Sequence, residues 1–136
     1  MRLNAAIAVL LSASTGAMAD EPFAGDAVYG TAAGCNWLET RTHPGTDDTL
    51  VVTRDYLRGY ESTCHFVDSK PGVHDDLYVS AICYGEGEMW PTTYAMMTDP
   101  ESDGLVIASG GGPISAEPLP VCEGATTALA DEILGE

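Results

Sequence analysis

Cys64 and His65 stand side by side, the residue types from which a thiolate–imidazole nucleophile pair is built. They lie in a stretch where residue types alternate with a period of two. Neighbours in a strand point to opposite faces, so this pair diverges, and a disulfide at Cys64 would remove the thiolate. Glu86, Glu88 and Trp90 place two carboxylates beside an indole, which suggests glycoside hydrolysis. That chemistry needs carboxylates facing each other across roughly 5–10 Å. Residues two apart on a strand share one face, so an exposed acidic bend is the expectation. Asp99, Glu101 and Asp103 with Gly104 imitate the start of a calcium loop, yet the twelfth position, which requires Glu, is Gly110. His74-Asp75-Asp76 reads as a solvated loop. G-x-S-x-G, P-loop and H-E-x-x-H patterns are absent. No catalytic residue, metal centre or cofactor is therefore predicted. Trp37, Glu86, Glu88 and Trp90 are the candidate binding surface.

These side chains must be held by a frame, and the four cysteines supply it. Cys35, Cys64, Cys83 and Cys122 contain no C-x-x-C pair, so neither a zinc site nor a dithiol redox motif is expected. An even count in a short chain reads as two disulfides. The preferred pairing is Cys35–Cys64 with Cys83–Cys122, each bridge worth roughly 3–4 kcal/mol by loop-closure entropy. A Cys64–Cys83 bridge between neighbouring strands is the alternative.

Residues 1–19 have the form of a secretory signal: Arg2, an apolar run from Ala5 to Leu11, and Ala17-Met18-Ala19 before Asp20. The expected location is the periplasm or the exterior, where thiols oxidise. Its removal takes away Arg2. What remains is Arg41, Arg54, Arg58 and Lys70 against 21 acidic residues, a net charge of −17. Such a surface repels nucleic acid and anionic lipid and favours basic proteins or divalent cations instead, a basic protein being the expected partner. No later segment is apolar enough to enter a membrane.

Strand signals recur at short intervals: near residues 26–31, over 50–53, 59–67, 77–84, 92–98 and 105–108, with an extended segment at 119–122. Tyr60, Ser62, Cys64 and Phe66 share one face, as do Leu77, Val79, Ala81 and Cys83. The prediction is an all-β domain, a small antiparallel barrel or sandwich of about six strands with two disulfides. It spans residues 20–122, followed by an acidic tail over 123–136 in which a short helix is an option.

The segments Tyr60-Glu61-Ser62-x-Cys64-x-Phe66 and Cys83-x-Gly85-Glu86-Gly87-Glu88-x-Trp90 resemble an uncharacterised group of small exported disulfide-bonded β-proteins of gram-negative bacteria. The resemblance implies an exported β-domain and no known activity. The functional expectation is a non-catalytic binding module. The alternatives are an envelope hydrolase with an unrecognised site and a structural or stress-tolerance protein of the envelope.

Overall fold

The computed structural model describes residues 21–135. The signal segment and the boundary at Asp20 lie outside the described residues. A single 3-10 turn, Ala24–Asp26, leads into β1 (Tyr29–Gly30), α1 (Ala32–Thr40), β2 (Leu50–Val52), β3 (Tyr56–Gly59) and β4 (Ser62–Pro71). There follow β5 (Leu77–Gly85), β6 (Glu88–Thr98), β7 (Leu105–Ser109), β8 (Gly112–Pro113) and α2 (Thr127–Leu134).

The eight strands form one antiparallel sheet in sequential order, curled into a half-barrel. The count exceeds the expected six because β8 is a two-residue strand that no signal marked, and because β3 is a strand of its own beside β4. Period-two patterning cannot register strands so short. The segment after β8 crosses the open side. Leu105 and Leu119 exchange two backbone hydrogen bonds, and the Gly30 N–H then donates to the Pro120 carbonyl.

The faces that carry Cys64 and Cys83 turn inward, although Tyr60, expected on the Cys64 face, stays exposed. Cys64, Val79, Ala81 and Cys83 pack inside the curl with Leu57, Tyr94, Met96, Leu105 and Ile107. A second core lies outside the sheet, where Val28, Val51 and Tyr56 meet Trp37 and Leu38 of α1 and Ala130 and Leu134 of α2.

Two helices thus cover a face that alternation alone left unassigned. Thr31 caps α1, its hydroxyl accepting from the Gly34 N–H. Gly34, Trp37 and Leu38 give the helix its buried stripe. Gly34 is there for closeness: a Cβ at that position would lie 2.0 Å from the Leu50 carbonyl oxygen. At the other end Thr126 caps α2, accepting from the Leu129 N–H. Ala130 and Leu134 of α2 therefore belong to the second core.

The preferred disulfide pairing is corrected. The bridges are Cys35–Cys122 and Cys64–Cys83. Cys64 and Cys83 are direct register partners across β4 and β5, 3.9 Å apart at Cα, so no other cysteine competes for either. Cys35 on α1 and Cys122 after the crossing segment then tie the helical layer to the strap that spans the curl.

Candidate functional site

The curl is open at one end, and that opening is a cavity of about 620 Å³. Three stretches rim it: residues 47–50 entering β2, the Gly59–Ser62 turn joining β3 to β4, and residues 114–116 following β8. Leu57 and Tyr94 reach it from inside the curl. The position is a consequence of the meander. Short outer strands end early and leave the interior exposed above Tyr94, while the long β4–β5–β6 hairpins form the wall.

Tyr94 is buried. Its hydroxyl donates to Cys64 Sγ at 3.2 Å and lies 3.7 Å from Cys83 Sγ. Burial pushes the phenol pKa above its ordinary value, so Tyr94 stays neutral. Its polar end is committed to the disulfide, and its ring is the part left to line the cavity.

Above this apolar base stand Asp47, Asp48 and Glu61, all exposed, with no basic residue in the lining. Thr31 fixes the strand entry beneath them, its hydroxyl also accepting from the Leu50 N–H. The rim residue Tyr60 is braced from behind. His43 packs against it at 5.5 Å between ring centroids, and Trp37 packs against His43 at 4.3 Å. The Gly45 N–H donates to His43 Nδ1 and fixes that ring.

The four residues expected to form a binding surface do not converge. Trp37 is 6% exposed and belongs to the core beneath α1. It bears on the site only through His43 and Tyr60. Glu86 sits at the tip of the β5–β6 hairpin, where Glu86 and Gly87 both adopt positive φ, 50° and 82°, as a two-residue hairpin turn requires. Glu88 and Trp90 follow on the inward-facing register of β6, yet both are exposed, because the hairpin projects past the curl. Trp90 alone approaches the mouth. A Cβ on Gly85 would lie 3.3 Å from Trp90 Cη2, 3.1 Å from Ser62 Cβ and 2.9 Å from the Glu61 carbonyl oxygen. Glycine at 85 is what lets the indole fold over towards Glu61 and Ser62.

The remaining chemical candidates resolve into structure. Cys64 is a disulfide sulfur, and His65 points outward between Tyr56 and Tyr84. Asp99 closes the β6–β7 turn, accepting from the Ser102 N–H and hydroxyl. Asp76 accepts from the His74 N–H, and that bond holds its carboxyl below the ordinary range. Among the described residues no three of His, Cys, Asp and Glu are grouped to hold a metal ion.

Sequence reasoning missed Tyr60, Tyr94, Ile114 and the three rim carboxylates as a site. The one usable signal was alternation along β6, which puts Trp90, Tyr94 and Met96 on a common face.

No family model, curated protein or solved structure matches the chain. No helix among the described residues is long and apolar enough to cross a membrane.

Proposed function

We propose that the protein is a non-catalytic binding module of an oxidising compartment, and that its ligand is a basic protein. The observation that carries this reading is the mouth: an open cavity, apolar at its base, edged by Asp47, Asp48 and Glu61 and by no cation.

The rest of the surface acts in the same direction. The described residues include 19 carboxylates and only four basic side chains, which are already engaged. Arg41 pairs with Glu132, Arg54 with Asp26 and Lys70 with Asp68, while Arg58 donates to Thr63. A field of one sign raises the encounter rate with an oppositely charged partner and weakens as salt screens it. The resemblance to small exported β-proteins and the two disulfides support the location outside the cytoplasm. The hydrolase alternative gains no support from the hairpin, since Glu86 lies in its two-residue turn and Glu88 on the strand beside it, both exposed.

The test is comparative capture. Oxidised wild type and the D47N/D48N/E61Q variant are immobilised, and an envelope protein extract is passed over both at low salt. The expected result is a set of basic proteins held by wild type, released by about 0.15–0.3 M salt and lost from the variant. Retention of the same proteins by both columns, or of nothing salt-sensitive, would refute the proposal.

A further inference from the structure

The mouth is larger and more apolar than the recognition of a bare charge requires. Its volume, about 620 Å³, lies in the range of sites that enclose a small organic molecule. The three rim carboxylates are not gathered into a metal-binding group. Below them the lining is Leu57, Tyr94 and Ile114, and Tyr94 has its hydroxyl tied to Cys64 Sγ. At the rim the braced ring of Tyr60 stands next to Glu61 in the same tight turn.

We infer that the group seated in the mouth is an organic cation carried on an apolar body. The body fills the space between Leu57, Tyr94 and Ile114, and the ammonium or guanidinium head stays level with Tyr60, Asp47, Asp48 and Glu61. An aromatic ring with carboxylates beside it attracts a cation bearing apolar substituents. Keeping the head at the wet rim avoids the large cost of burying a charge, while the body gains from leaving water. The inference rests on the reading above that the ligand is positively charged, and adds the apolar body that charge alone does not demand. The cation has two sources, a free amine or quaternary ammonium compound and an arginine or lysine side chain of a protein.

Calorimetric titration of the oxidised protein at fixed low salt separates the terms. The probes are benzyltrimethylammonium, tetramethylammonium, which has the charge without the body, and benzyl alcohol, which has the body without the charge. The expected result is one-to-one binding of benzyltrimethylammonium, about tenfold tighter than either control. D47N/D48N/E61Q removes the charge term. A116W, at an exposed lining position, narrows the mouth and leaves all three carboxylates in place. Each is expected to weaken binding about tenfold. Equal binding of benzyltrimethylammonium and tetramethylammonium, or indifference to A116W, overturns the inference.

A second arm titrates a short peptide carrying Leu-Arg at a turn. Peptide binding that A116W abolishes assigns the cation to a protein side chain, and binding of the small cation alone assigns it to a free compound. If the capture columns retain basic proteins while A116W changes nothing and no apolar cation is preferred, this inference fails and the basic-partner proposal stands. If the apolar cations bind as expected and no basic protein is retained, the inference holds and the proposal fails.

Discussion

Single residues decide where this fold can bend and where it must stay shut. Asp26 is the clearest case. It accepts from both the hydroxyl and the N–H of Thr127, so it anchors the start of α2 to a residue 101 positions earlier. The Thr127 side-chain bond and then the Thr127 backbone bond hold its carboxyl below the ordinary 3.8; burial opposes them, and nearby Arg54 lowers it by the least. A carboxyl depressed in the folded state stabilises above its unfolded pKa, and that contribution is lost as pH falls through the folded value. Asp26→Ala should therefore lower the melting temperature at pH 7, and the gap from wild type should shrink below about pH 4. Thermal melts at pH 7 and pH 3 check this, and an equal gap at both would contradict it. None of this was legible in the sequence, where Asp26 stands only at the start of the strand expected near residues 26–31. Its partner lies in a tail that charge and length marked as peripheral. Trp37, expected on a binding surface, is instead core, because an indole beside a cysteine and a leucine on one helix gains most by packing inward.

At the level of elements, what alternation could see was recovered and what it could not see was missed. β5 carries Val79, Ala81 and Cys83 inward, as its pattern announced. The helix α1 went unread because its stripe is Gly34, Trp37 and Leu38, and glycine contributes no hydrophobic signal. The disulfide register was hidden for a related reason. A bulge between Phe66 and Asp68 shifts the β4–β5 ladder, so counting back from the turn does not identify Cys64 and Cys83 as partners.

The β6 edge adds a prediction of its own. Leu105 directs its hydrogen bonds to Leu119, so Val106 and Ala108 must face β6, opposite Met97 and Ala95. By alternation Met89, Pro91 and Thr93 face the side of β6 that no described strand pairs. Proline there removes a donor from an open edge, a device that discourages edge-to-edge association. Pro91→Val should raise concentration-dependent self-association with little loss of stability. Light scattering or sedimentation would show it, and a variant as monodisperse as wild type would count against the edge assignment.

The whole molecule is a curled sheet held from two sides. Cys64–Cys83 staples the wall, and Cys35–Cys122 fastens the strap and the helical layer across 87 positions. In the chain-entropy account the shorter loop is worth about 3 kcal/mol and the longer about 4–5 kcal/mol. For a domain with 5–15 kcal/mol in total, both are large contributions. Charge was the most legible global property, since composition fixes it without any fold. Where that charge matters was not legible, because Asp47, Asp48 and Glu61 come together with Tyr94 only after the sheet curls. The central claim is that a positively charged ligand enters this mouth. Amide chemical-shift mapping during titration with a basic ligand tests it most directly. The account predicts that the perturbed amides cluster at residues 47–50, 59–62 and 114–116. Shifts concentrated at the Glu86–Trp90 hairpin, or spread evenly over the acidic surface, would contradict it.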